Sequence, residues 1–160
     1  HKDTGAGNLF QGWDNAATMD IDTILNDTAP TSSVFTLGNS SHVNGSGDTY
    51  VAYLWGSVDG VSKLGSYSGT GSNIDVNCGF SVGARFVVIK RTDSTGDWYV
   101  WDTARGIVSG NDPYLLLNSS AAEVTNTDYI DPLNSGFTVT SSAPAALNAS
   151  GGTYIFLAIA

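Results

Sequence analysis

Two stretches of this chain repeat one another, and that repeat limits the fold more than any other feature. Phe35-Thr36-Leu37, followed by Asn44-Gly45-Ser46-Gly47-Asp48-Thr49-Tyr50-Val51-Ala52-Tyr53-Leu54, returns further along the chain. The second copy reads Phe137-Thr138-Val139, followed by Asn148-Ala149-Ser150-Gly151-Gly152-Thr153-Tyr154-Ile155-Phe156-Leu157-Ala158. The offset is 102 at the phenylalanines and 104 at the tyrosines, so small insertions are absorbed in loops. Upstream, Asp3-Thr4-Gly5-Ala6-Gly7 resembles Asp102-Thr103-Ala104-Arg105-Gly106 at an offset of 99. Residues 9–28 align poorly with residues 114–130, and residues 66–99 have no partner in the first copy. Their counterpart would fall before His1. The expectation is two units: residues 1–60 as the C-terminal part of a degraded first unit, and residues 61–160 as a complete second one. On that expectation the polypeptide extends beyond His1 and closes at Ala160.

Each unit reads as β-structure. Gly, Ser, Thr and Asn supply 66 of the 160 residues, and Glu occurs once, at Glu123. That mixture suits strands and turns and disfavours helices. Strands are expected at residues 49–55, 153–159 and 85–91, the last joined to 98–101 through a hairpin loop at 92–97. Weaker strands are expected at 34–37, 73–78, 114–117 and 136–140, with a turn over 131–136. Residues 16–25 carry a faint helical spacing. Residues 49–55 and 153–159 are apolar on both sides, so both faces should be covered, one of them by a neighbouring unit or chain. The fold class is all-β: two tandem, jelly-roll-like β-sandwich units, mostly antiparallel, with no long helix.

Charge excludes several functions. Net charge is −9 with six Lys and Arg, so a phosphate backbone or an anionic lipid surface is a poor partner. No apolar run is long enough to span a bilayer, so no membrane insertion is expected. With Cys78 as the one cysteine and only His1 and His42, no disulfide and no thiolate zinc site forms within the chain.

Candidate chemistry is sparse. Asp20 and Asp22, or Asp93 and Asp97, could give two carboxylates to calcium, but calcium takes six or more oxygens; a solvated edge and turn-forming acids are the simpler readings. His42 beside Ser40 and Ser41 lacks the surroundings of a hydrolase nucleophile. Cys78 reads as a buried small hydrophobe. An ion pair between Asp102 and Arg105 closing a turn is simpler than a site there, because the first copy has Ala6 at the place of Arg105. Asn26, Asn39, Asn44, Asn118 and Asn148 match the glycosylation acceptor pattern, as chance provides in so Asn-, Ser- and Thr-rich a chain. Among the tryptophans, Trp55 reads as core, and Trp98 and Trp101 lie on opposite faces of one strand. Trp13, in a Gly- and Asn-rich setting, is the candidate surface residue for stacking on a glycan, with core or interface packing as the simpler reading. No catalytic, cofactor or metal residue is assigned.

One ordered series of residues carries a family resemblance. It runs Gly79-Phe80, Phe86-Val87-Val88-Ile89-Lys90-Arg91, Trp101-Asp102-Thr103-Ala104-Arg105-Gly106 and Leu117-Asn118-Ser119-Ser120-Ala121-Ala122-Glu123. It continues through Ser135-Gly136-Phe137-Thr138 and Asn148 to Gly152-Thr153-Tyr154-Ile155-Phe156-Leu157-Ala158. The series resembles a repeat module of virion proteins, tail-fibre-like proteins among them, from marine and cyanobacterial tailed bacteriophages. The resemblance implies a non-enzymatic structural protein of the extracellular particle, without catalytic residues. It implies a tail fibre or similar appendage, with other virion proteins and further copies of itself, as a homotrimer, for partners. Host-surface attachment fits that setting. The alternatives are a capsid-decorating or head-fibre protein, a lectin-like polysaccharide-binding module, and a polysaccharide-degrading spike domain.

Overall fold

A computed structural model describes Leu9, Phe10, Gly12 and residues 14–160. Among the described residues, ten strands and three single-turn helices follow one another. A small ladder near the N-terminus pairs β1 (Leu9–Phe10) with β2 (Met19–Asp20), antiparallel. Two helical turns follow, α1 (Asp22–Leu25) and α2 (Ser41–Asn44). The remaining elements are β3 (Ser62–Ser68), β4 (Ile74–Asn77), β5 (Phe86–Arg91), β6 (Trp98–Asp102), β7 (Leu115–Leu116), β8 (Ile130–Leu133), β9 (Gly136–Val139), α3 (Ala145–Asn148) and β10 (Thr153–Ile159). One sheet has the order β3-β10-β5-β6-β7 and the other β4-β9-β8, with every pairing antiparallel.

The two sheets close over a shared core, so the chain holds an all-β sandwich, without long helices among the described residues. Val87, Ile89, Tyr99, Trp101, Tyr154, Phe156 and Ala158 of the larger sheet meet Val76, Ile130, Phe137 and Val139 of the smaller. Alternate strand residues face one way, and the inward sets here are almost wholly aromatic or branched. Phe137 and Phe156 meet edge to face at 5.4 Å, a geometry aromatic rings favour. Gly65 sits opposite Phe156 in the ladder, and a Cβ there would lie 2.6 Å from that ring. A glycine is therefore required for the strands to approach.

The outer face of the larger sheet is also buried at Val88, Lys90, Val100 and Ile155. Part of its cover comes from the same chain. Trp98 Nε1 donates to Gly12 O at 2.9 Å, Gly96 N to Asn15 O at 2.9 Å, and Thr18 N to Thr92 O at 2.9 Å. Lys90, with no exposed surface, donates from Nζ to Ala16 O and Gly96 O, each at 2.7 Å. Burial pulls its pKa down, while Asp14 and Asp97 oppose that pull. A buried ammonium needs such partners to be tolerated.

Several expectations change here. The described residues ahead of β3 form no second sandwich. Residues 49–55 and 34–37 lie in no strand. Of residues 16–25, a single helical turn forms, at α1. The expected turn over 131–136 begins as strand β8, with Pro132 inside it. β8 is an edge strand, and an edge tolerates a residue that cannot donate to the ladder. β3 was not expected from the sequence.

Candidate functional site

The expected chemical residues are dispersed. Asp22 opens α1 whereas Asp20 ends β2, so the two do not alternate along one strand. Asp93 is gripped by Arg91, Nε to Oδ1 at 3.0 Å and Nη2 to Oδ2 at 3.1 Å, and accepts from Thr153 N at 3.0 Å. The guanidinium beside it holds its carboxyl down to about 2. Asp97 accepts from Asn118 Nδ2 at 2.8 Å. His42 lies exposed in α2, where its N–H meets the Ser40 cap at 3.3 Å. Cys78 is buried and free, and burial pushes its thiol up to about 11, far from the thiolate that reactivity needs. Arg105 binds Asp102 and, at 2.9 Å, Glu123 Oε2, closing the turn before Gly106 as expected. Among the described residues no group of three or more His, Cys, Asp or Glu is placed to hold a metal.

Two acceptor-pattern asparagines are structural clamps. Asn118 Oδ1 receives Trp98 N at 2.9 Å. Asn148 is buried and accepts from Thr70 N and Gly71 N while donating to Ser72 O and Thr140 O. A buried group that sequence reading missed is Asp112. Its carboxylate takes Trp101 Nε1 at 3.0 Å, Tyr129 N at 2.8 Å and Ile130 N at 3.2 Å. Burial nevertheless pushes its pKa up to about 7, with Asp128 adding to the rise. It sits under a run of rings from Tyr99 and Trp101 through Tyr114 to Tyr129. Two clefts elsewhere on the surface are polar, about 530 Å³ beside Ser66, Thr92 and Thr153, and about 490 Å³ beside Asp22, Asn26 and Asn39.

The strongest surface feature is apolar. Val51, Tyr53, Leu54 and Trp55 are 78, 75, 76 and 55 % exposed, and Val34, Phe35, Leu37 and Tyr50 join them. Soluble surfaces scatter single apolar side chains but seldom string them together. Tyr53 and Trp55 stack with ring centroids 6.2 Å apart. Trp55 was expected in the core and is on the surface. Trp101 is in the core, and Trp98 is half-buried on the opposite face of β6, as the strand parity requires. Trp13 lies outside the described residues.

This apolar string leaves from a local motif that the chain builds twice. α2 and α3 are the same four-residue turn, 104 residues apart. Their C-caps have φ/ψ of −68/138 at Gly45 and −67/137 at Ala149. Tyr50 Oη receives Gly45 N and donates to Ser41 O, each at 2.7 Å. Tyr154 Oη receives Ala149 N at 2.8 Å and donates to Ala145 O at 2.7 Å. Asn44 Nδ2 reaches Gly38 O at 3.0 Å as Asn148 Nδ2 reaches Thr140 O at 2.9 Å. Gly47 and Gly151 both turn at positive φ, 84° and 78°. The tyrosine clasp is thus a structural repeat as well as a sequence repeat.

The segments that leave the two clasps differ completely. β10 is hydrogen-bonded on both edges, to β3 and to β5. Residues 49–55 make no main-chain hydrogen bond to another main-chain group among the described residues. An apolar segment with free N–H and C=O groups is a template for pairing, so residues 34–55 are the candidate interaction surface.

No curated protein and no solved structure matches this chain. Its residues 8–160 match DUF7483, a domain of unknown function, and the chain belongs to that family.

Proposed function

We propose that this chain is a non-enzymatic structural protein of a tailed-bacteriophage particle, the C-terminal part of a tail fibre or similar appendage. On this reading it resides on the extracellular particle and associates with other virion proteins and with copies of itself, a homotrimer by analogy with phage fibres. The observation that carries it is the exposed apolar surface of residues 34–55 beside a sandwich already closed without it. Such a surface is suited to assembly rather than to turnover of a small molecule. The ordered series of residues that resembles phage repeat modules gives the setting.

Antibody carrying gold, raised against this chain, tests the reading on particles of the phage that encodes it. Label on the tail or its fibres is the expected result. Label confined to heads would transfer the chain to capsid decoration, and unlabelled particles would end the virion reading. A lectin-like role has one observation in its favour, the exposed Tyr53–Trp55 ring pair, since flat aromatic faces suit the apolar faces of sugars. It predicts saturable binding of host-envelope oligosaccharide that Trp55→Ala abolishes without changing the unfolding midpoint.

A further inference from the structure

We propose that residues 34–55 are the closing element of another sandwich, and that their partner is a further unit of this same fold, supplying strands of the β3 and β5 type. The proposal deepens the assembly reading and rests on it in taking residues 34–55 as an interaction surface.

The second clasp tells what the first one is missing. Around α3, the long-range hydrogen-bond and ring partners come from β3, β5 or the loop after β3. The Tyr67 ring of β3 stacks on Tyr154 at 4.8 Å, and its Oη donates to Leu147 O at 2.7 Å. Arg91 of β5 lies over the Tyr154 ring at 5.9 Å and donates to Ala145 O at 2.9 Å. Thr70 N, Gly71 N and Ser72 O complete the bonds of Asn148. The first clasp keeps the local half of this arrangement and lacks the long-range half. Among the described residues Asn44 makes one side-chain bond, to Gly38 O. Tyr50 keeps its two clasp bonds and a longer one to Asp48, yet its ring is nearly half exposed, where Tyr154 is fully buried. Residues 50–55 are apolar at every position, matching the need of a strand buried on both faces.

Two nearer partners do not fit. The chain's own β3 has a free edge, and the bridge Val58↔Ser62 begins a hairpin toward it. Ser57 Oγ, however, receives Leu64 N at 3.0 Å and reaches Leu64 O at 3.5 Å. It occupies the positions that the next main-chain residue would need, and the segment leaves the sheet there. A second copy of the described sandwich has β10 already seated between its β3 and β5. The fitting partner is a unit whose β3–β5 slot is open.

The test supplies that slot. A second copy of residues 57–101, which carries β3, β4, β5 and all of β6 but its last residue, is fused ahead of Asp3 in the otherwise intact chain, in the register of the 99-residue offset. Amide exchange of residues 51–55 is then compared with that of the unaltered chain. The expected result is slowing of about a hundredfold or more, as for strands that open only with their sheet, and its loss when Ala52→Pro is added to the fusion. Exchange within about threefold of the unaltered chain overturns the proposal. The original sandwich, protected in both proteins, reports that the fusion is folded, so an added segment that stays unstructured also counts against the proposal. Absence of label on particles would refute the virion reading and leave this exchange result standing.

Discussion

Residues 49–55 and 153–159 begin alike, Thr-Tyr followed by an apolar run, and leave the same clasp, yet the second is a central strand and the first lies in no strand. The clasp forms in both places because all its bonds lie within about a dozen residues of one another, so neighbouring sequence suffices. A strand has no such autonomy. Its hydrogen bonds are made to other strands, and apolar, β-branched composition states only that a segment would fit a sheet. The comparison separates what short-range sequence encodes from what a partner must supply.

Substituting the two clasp tyrosines gives the largest contrast. Tyr154→Ala removes a fully buried ring between Tyr67 and Arg91 and is expected to cost about 3–5 kcal/mol in denaturant unfolding. Tyr50→Ala, on the exposed copy, should cost about 1 kcal/mol or less. Equal losses would mean that the first unit is as tightly packed as the second.

Next comes Asp112, an interior acid of the closed unit. Asp112→Ala strands three N–H donors, from Trp101, Tyr129 and Ile130, at a cost of about 2–4 kcal/mol. Its pH signature has a definite sign. With a folded pKa of about 7 against about 4 in the unfolded chain, the native state keeps a proton that the unfolded state releases. Stability from this group therefore falls as pH rises from about 4 to about 7. Unfolding midpoints measured across that window should decline in the unaltered protein, and Asp112→Asn should remove that part of the decline.

The smallest contrast is between the asparagines. Asn148→Ala removes the buried acceptor of two main-chain N–H groups, of Thr70 and Gly71, and should cost about 1–3 kcal/mol. Asn44→Ala removes one bond, to Gly38 O, for about 1 kcal/mol or less. In the fusion described above, the Asn44 cost should rise toward that of Asn148, which sharpens the comparison.

The legible parts of the fold were those with a strong local signal. Phe86-Val87-Val88-Ile89 and Trp98-Tyr99-Val100-Trp101 announce β5 and β6, and the loop between them reads as a hairpin. β3 was illegible because Ser62-Lys63-Leu64-Gly65-Ser66-Tyr67-Ser68 looks like a loop; its strand character comes from the β10 edge and from Gly65 yielding to Phe156. β8 hid behind Asp131-Pro132, which signals a turn except at a sheet edge. The interaction surface was half legible. The repeat marked residues 35–54, but their apolar composition read as interior, since a sequence does not state whether the neighbours that would bury it are present. Asp112 gave one faint sign, an acid just before Pro113 after a glycine turn, and nothing in its spacing disclosed three donors from distant strands.

Lys90 turns the cover over the outer sheet into something that can be clocked. Its amine is sealed beneath Ala16 and held by two carbonyls, so an acylating reagent meets it only when the segment over it lifts. At saturating reagent, the rate of Lys90 modification equals the opening rate of that flap, while Lys63, partly exposed on β3, is consumed at the solvent rate. The ratio of the two is a stopwatch for how often the N-terminal residues let go of the sheet they cover.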